Sequence, residues 1–170
     1  MIIVTGGAGF IGSNLVYELN KKGTKEIIIC DNVNSSLKKS YIKKLKYKKI
    51  IQPHKFFDFL KKKEKLINYI FHLGAISTTT SSNFSKLKKN NFEFSVKLLE
   101  FCTEKKIGFI YASSASTYGN GSNDFKDSEN YHYLKKLKPL NLYGKSKHLF
   151  DLYISEKKKN KKKLPNQWVG

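Results

Sequence analysis

The sequence predicts an α/β fold, a doubly wound parallel sheet with helices on both faces. Three observations predict it. Short apolar runs rich in β-branched residues recur along the chain, separated by stretches with helical spacing. The first run opens directly onto a glycine cluster, Thr5-Gly-Gly-Ala-Gly-Phe-Ile-Gly12, which leads into Leu15, Val16 and Leu19 at helical spacing. Small and polar residues then fall repeatedly at the carboxyl ends of the runs, where open α/β sheets bind ligands.

Taken in order, Met1 to Val4 suits a buried strand, and the first helix stops at Lys21-Lys22-Gly23, a cationic last turn followed by glycine. Glu26 to Cys30 reads as a second strand buried on both faces. The Lys-dense stretch from Ser35 to Gln52 holds a short helix and a third strand near Lys49-Ile50-Ile51, and Phe56 to Ile67 a further helix. Asn68 to Ala75 is a strand ending in a small-residue loop. His72 within it is expected to be a packed strand-end histidine rather than a catalytic one. Ser77 to Ser82 is a loop, Asn83 to Lys106 one long helix with an apolar stripe, and Gly108 to Ser113 the next strand. Another helical segment begins at Tyr143, and Gln167-Trp-Val-Gly170 reads as the opening of one more strand.

Strand, tight turn and helix are the frame in which Gly7-x-Gly9-x-x-Gly12 becomes a Rossmann dinucleotide fingerprint. Glycine at Gly6, Gly7 and Gly9 allows the turn and the approach of a pyrophosphate, and Gly12 lets helix and strand come close. Asp31 follows about 20 residues on, where a carboxylate can bind the adenosine ribose. Asp31 favours NAD on the general rule, whereas Lys38 or Lys39 could pair with the 2′-phosphate of NADP, and the residues alone leave both open.

With 170 residues the chain is one domain, 1–170, carrying a Lys-rich loop over 157–165. At 39% hydrophobic and 14% aromatic residues, disorder throughout is not expected. No apolar run approaches the roughly 20 residues of a membrane span, no signal peptide is expected, and no metal site is expected. Cys30 and Cys102, at unrelated positions, fit a reducing cytoplasm as buried small hydrophobes. The net charge of +20 suggests a polyanion, but all 33 basic residues are Lys. Without Arg, which reads and stacks on bases, no specific nucleic acid is expected, only salt-sensitive association.

Tyr143-Gly-Lys-Ser-Lys147 places a phenol and an ammonium one turn apart on one helix face. A free phenol titrates near ~10, and a neighbouring cation favours phenolate, so the pair can move a proton to and from a sugar hydroxyl. Ser114, at the preceding strand end, can hydrogen-bond the same oxygen.

With these marks the chain resembles the extended short-chain dehydrogenase/reductase family of nucleotide-sugar epimerases and dehydratases. The resemblance rests on Thr5 to Gly12, on Ala112-Ser-Ser-Ala-Ser-Thr-Tyr-Gly119 and on Tyr143 to Lys147. Phe71-His-Leu-Gly-Ala-Ile-Ser-Thr-Thr79 and Pro139-Leu-Asn-Leu-Tyr-Gly-Lys-Ser-Lys-His-Leu-Phe-Asp151 are similar to stretches of members acting on an ADP-heptose. The resemblance implies redox-neutral inversion at C6 of that sugar with bound NADP, supplying lipopolysaccharide core. It implies Tyr143 as acid/base, Lys147 on the nicotinamide ribose, and Ser114 orienting the oxygen. Phe10, Ile11, Asp31, Asn32 and Lys38 carry over as cofactor contacts, with Lys38 suggesting NADP. Leu73, Gly74, Ala75, Ile76, Ser77 and Asn90 carry over as loop and helix contacts. Leu73 departs from the family's usual acidic residue, a change that a backbone contact would survive. A homo-oligomer, specifically a homopentamer, is also implied.

The resemblance covers the whole chain but about the first half of such an enzyme. The expectation is a truncated or decayed epimerase that keeps the cofactor half, lacks the substrate domain and leaves the sheet incomplete. A 4,6-dehydratase is disfavoured because Ser113-Ser-Ala-Ser-Thr117 lacks an acidic residue at the strand end. Another nucleotide-sugar epimerase and a non-catalytic dinucleotide-binding module are the alternatives.

Overall fold

A computed structural model of the chain describes residues 1–160 and 162–165, and the backbone of 168–169. Its centre is a six-stranded, all-parallel sheet in the order β3-β2-β1-β4-β5-β6. The strands are β1 (Ile2–Thr5), β2 (Ile27–Cys30), β3 (Lys49–Ile51), β4 (Tyr69–His72), β5 (Gly108–Tyr111) and β6 (Trp168–Val169). Ile2 pairs with both Ile27 and Tyr69, and Thr5 with both Cys30 and His72. The carboxyl ends of β1, β2 and β4 therefore finish level. The strand expected at the chain's end pairs with β5, Phe109 beside Trp168. Its flanking Gln167 and Gly170, and Lys161 of the Lys-rich stretch, lie outside the described residues.

Alternation along the strands divides the core. Ile3, Ile28, Cys30, Ile70 and Phe109 face one side, and there they meet Phe56 and Leu60 of α3 (Phe56–Lys63). Leu98, Leu99 and Cys102 of α5 (Phe94–Lys105) and Phe150 and Ile154 of α7 (Leu142–Lys159) complete that layer. Val4, Ile27 and Ile29 face the other side and pack on Val16 of α1 (Phe10–Lys21) and Ile42 of α2 (Ser36–Ile42). β2 is buried at every position, as a parallel strand covered on both faces must be.

The long helix expected from Asn83 to Lys106 is broken in register. It starts as α4 (Phe84–Leu87), widens into a π-helical turn over Lys88–Glu93, and resumes as α5. It ends on Lys106 in the left-handed region, φ 56°. A further short helix, α6 (Tyr131–Leu134), and a 3-10 turn over Ala115–Tyr118 lie in the stretch the periodicity left blank. The Lys-rich loop expected over 157–165 begins later. Lys157, Lys158 and Lys159 form the last turn of α7, where cations meet the negative end of the helix dipole. Lys157 and Lys158 also pair with Glu100 and Glu129.

Candidate active site

The glycine turn sits between β1 and α1. Gly6 has φ +69°, and a Cβ there would come within 2.8 Å of the Gly74 backbone. Gly6 is thus required for β1 and β4 to release their loops side by side, and at Gly74 a Cβ would stand only 3.0 Å from the Gly6 nitrogen. Gly9 is the N-cap of α1 and provides no side-chain cap, so the first-turn N–H groups are left to another acceptor. Phe10 and Ile11 follow, 69% and 68% exposed although apolar.

Beside the turn, Asp31 is 7% exposed. Its Oδ2 accepts from the Ala8 N–H at 3.0 Å, and its Oδ1 from the Asn32 N–H at 2.7 Å and the Lys38 ammonium at 2.5 Å. Lys38 also donates to the Asn32 carbonyl at 3.2 Å. These residues fit a dinucleotide: an uncapped helix N-terminus without side chains in the way, next to a carboxylate and an ammonium at the end of β2.

The β4 loop, Leu73 to Ser77, forms the next wall. Leu73 N–H bonds the Thr5 carbonyl at 3.2 Å, and Gly74 N–H bonds Thr5 Oγ1 at 3.0 Å. Asn91, in the π-helical turn and 1% exposed, spans this loop and α7. It accepts from the Ile76 N–H at 2.8 Å and donates to the Ile76 carbonyl at 3.0 Å and to Ser146 Oγ at 2.9 Å. Ser146 in turn donates to the Tyr143 carbonyl at 2.7 Å. Asn91 lies four residues after buried Leu87 and four before buried Ser95, so it stands within the buried stripe of this helix.

The catalytic candidates lie at the end of β5 and on α7. Asn141 caps α7, accepting from the Gly144 N–H at 2.7 Å. Tyr143 is half-buried one turn before Lys147, which is 3% exposed. Burial holds the Lys147 ammonium below its usual range, and the nearby Asp151 charge opposes that shift. Lys147 Nζ stands 5.6 Å from the Tyr111 ring centroid. Ser114 opens the 3-10 turn, its Oγ accepting from the Ser116 N–H at 3.2 Å. Asp151, two turns beyond Tyr143, accepts from the Tyr111 hydroxyl and the Ser113 hydroxyl, both at 2.6 Å, and so ties the end of β5 to α7. Burial, then the Asp151 charge, pushes the Tyr111 phenol far above its ordinary value.

Of the residues singled out in the sequence, Gly6, Gly9, Phe10, Ile11, Gly12, Asp31, Asn32 and Lys38 surround the end of β1 and β2. Leu73, Gly74, Ala75, Ile76 and Ser77 line the adjacent loop. Ser114, Tyr143 and Lys147 occupy the β5–α7 side. Asn90 is the one set apart: it is exposed, and its amide bonds the Lys86 carbonyl of its own helix at 2.8 Å. The inward residue is its neighbour Asn91. Thr5, Ser95, Asn91, Ser146 and Asp151 were not singled out; the available signal was polar residues interrupting apolar runs or stripes. His72 is packed, 1% exposed, as expected for a strand end.

Sheet order, glycine turn and the Tyr-x-x-x-Lys helix together define a Rossmann-type α/β domain of the dinucleotide-binding class. The chain belongs to the NAD dependent epimerase/dehydratase family, whose model matches residues 2–163. Among its relatives is the ADP-L-glycero-D-manno-heptose-6-epimerase of Brachyspira hyodysenteriae, 41% identical over 173 aligned positions that cover all of this chain and 52% of that protein. The crystal structure of the Helicobacter pylori ADP-L-glycero-D-manno-heptose-6-epimerase superposes with a TM-score of 0.73 at 32% identity, over 91% of this chain and 50% of that one. UDP-glucuronic acid 4-epimerase from Bacillus cereus, in complex with NAD, gives 0.72 at 28% identity, over 92% and 52%. The chain spans about half the length of these relatives. Among the described residues no helix is long and apolar enough to cross a membrane, and no group of His, Cys, Asp and Glu is placed to hold a metal ion.

Proposed function

We propose that the chain is the dinucleotide-holding half of an ADP-heptose 6-epimerase, inverting C6 of the sugar in ADP-D-glycero-D-manno-heptose for lipopolysaccharide core. The observation that carries this reading is convergence. The glycine turn, Asp31, the Gly74 loop and Ser114 follow the carboxyl ends of β1, β2, β4 and β5, and the Tyr143/Lys147 pair stands on α7, which packs against the turn after β5. The 41% identical relative supports the choice of substrate. A bound nicotinamide supplies the hydride acceptor and donor. The chain's own residues do the rest: Tyr143 takes the proton from the C6 hydroxyl and returns it, the Lys147 cation favours the phenolate, and Ser114 holds the same oxygen by hydrogen bond.

NADP is the favoured dinucleotide. Asp31 already accepts from Ala8, Asn32 and Lys38, three of the about four bonds a carboxylate can accept, so little is left for a ribose 2′-hydroxyl, whereas a 2′-phosphate meets the Lys38 ammonium. The homopentameric assembly and the cytoplasm belong to the same proposal. Two free, buried thiols, Cys30 and Cys102, both pushed up to about 12 by burial, suit a reducing compartment.

The test is to titrate the purified chain with NADPH by fluorescence, then incubate the NADP⁺-loaded chain with ADP-heptose and follow C6 configuration and nicotinamide absorbance. Binding retained in Tyr143→Phe, with hydride transfer and inversion lost, supports the assignment. Failure to bind either dinucleotide overturns it. Turnover of UDP-glucuronic acid but not ADP-heptose would move it to the 4-epimerases.

A further inference from the structure

A run of buried polar groups crosses the molecule from the glycine turn to α7, and its hydrogen bonds can point only one way. Ser95 Oγ lies 2.5 Å from the Asn91 carbonyl, which can only accept, so the Ser95 hydroxyl donates there. Its oxygen then accepts from His72 Nε2 at 2.7 Å, which fixes the proton on Nε2. The His72 ring is 1% exposed, and burial, aided by the Lys147 charge, lowers its pKa to about 3, so it is neutral and Nδ1 carries a lone pair. Thr5 Oγ1, 2.7 Å from Nδ1, donates to it and accepts from the Gly74 N–H at 3.0 Å. The direction is therefore Gly74, Thr5, His72, Ser95, Asn91. The Asn91 side chain then holds Ile76 and Ser146, and Ser146 holds the Tyr143 carbonyl.

Every member sits at a junction. Thr5 and His72 are register partners at the ends of β1 and β4. Gly74 lies against Gly6, so a shift of the glycine turn displaces the first donor of the chain. Ser95 and Asn91 sit one turn apart, astride the boundary between the π-helical turn and α5. A hydroxyl or imidazole that loses a partner in this interior has no water to replace it, so the run favours moving together over breaking at one bond.

We propose that His72 is a positioning residue: as the Nε2–H tautomer it couples the nucleotide turn to the first turn of the catalytic helix. Occupancy of the phosphate site is thereby felt at Tyr143 without contact. This inference rests on the dinucleotide reading above.

The test uses the full chain with ADP, a probe that reaches the glycine turn but carries no nicotinamide or second ribose to touch α7. Hydrogen exchange of the amides of residues 142–147 is followed with and without ADP. In the parent chain ADP should slow it about five-fold or more, the lower end of ordinary coupling between sites. His72→Gln keeps a donor for Ser95 but not the acceptor for Thr5; His72→Asn does the reverse; both should bind ADP and lose the slowing. Thr5→Val should lose it and Thr5→Ser, which restores the hydroxyl, should keep it, so a variant that fails to fold does not decide the matter. Nitrogen NMR of His72 should show a bare Nδ1 and a protonated Nε2. A protonated Nδ1 at neutral pH, equal slowing in parent, Thr5→Val and His72 variants, or no slowing in a parent chain that binds ADP would each overturn the coupling. A parent chain that binds neither ADP nor NADPH would instead overturn the dinucleotide reading.

Discussion

Lys38→Ala separates the two dinucleotides at the ribose end. The Lys38 ammonium stands 2.5 Å from Asp31 Oδ1, with its side chain 36% exposed and that of Asp31 only 8%. A charge-assisted hydrogen bond to a phosphate contributes about 1.5–3 kcal/mol, and partial exposure trims this to about 1–2 kcal/mol. The substitution also leaves the Asp31 charge uncompensated beside any phosphate, an effect of the same sign. Asp31 keeps the Ala8 and Asn32 N–H groups and gains a second free lone pair for a 2′-hydroxyl. NADPH should therefore weaken about ten-fold, since about 1.4 kcal/mol is a factor of ten, while NADH is unchanged or slightly tighter. Fluorescence titration of both nucleotides at fixed ionic strength reads the ratio. Equal weakening of NADPH and NADH, or no change in either, would refute the assignment of Lys38 as the reader of the 2′ position.

Three further perturbations bear on stability. Gly12→Ala puts a Cβ onto the Gly6 carbonyl oxygen and 2.8 Å from Gly7 Cα, backbone that cannot step aside; a loss of about 2–3 kcal/mol in urea unfolding, together with nucleotide binding, is expected. Asn91→Leu keeps the volume but removes three hydrogen bonds, to the Ile76 N–H, the Ile76 carbonyl and Ser146. At about 1 kcal/mol each the urea midpoint should report a loss of about 2–4 kcal/mol, and a loss below about 0.5 kcal/mol would mean the loop does not depend on Asn91. His72 titrates near 6.5 in the unfolded chain and at about 3 in the folded one. Between those values the unfolded chain takes up a proton that the folded chain refuses, so stability falls as pH is lowered from 6.5 toward 3. His72→Gln should flatten that part of the pH profile.

The sheet and the glycine turn were legible because their signals are local. Ile27 to Cys30 is apolar at every position and is buried at every position, and the turn carries its fingerprint in consecutive residues. The third strand near Lys49 and the helix from Phe56 were also found, for the same reason. The π-helical turn was not legible. It carries no local pattern, and the partners of Asn91 within it, Ile76 and Ser146, are not near in sequence. The same holds for Asp151. Its carboxylate reads as one more polar residue on α7 until Tyr111 and Ser113 are brought to it from 40 and 38 residues away. α6 was missed because four residues are too few to show a period.

The choice between Asn90 and Asn91 turns on helix phase. Side by side, the two have the same chemistry, and only helix phase decides which one faces in. Buried Leu87, Asn91, Ser95 and Leu98 follow one another at four, four and three residues, so Asn91 continues the stripe and Asn90 falls beside it. Asn91 takes the inward position, while Asn90 bonds back to Lys86. Polar side chains in such a place are costly unless every partner is present, and a core built for stability alone would be as well served by apolar residues. That Thr5, His72, Ser95, Asn91 and Ser146 are nonetheless all satisfied, and run between the nucleotide turn and the Tyr143 helix, ties these buried polar residues to the site rather than to the packing of the sheet.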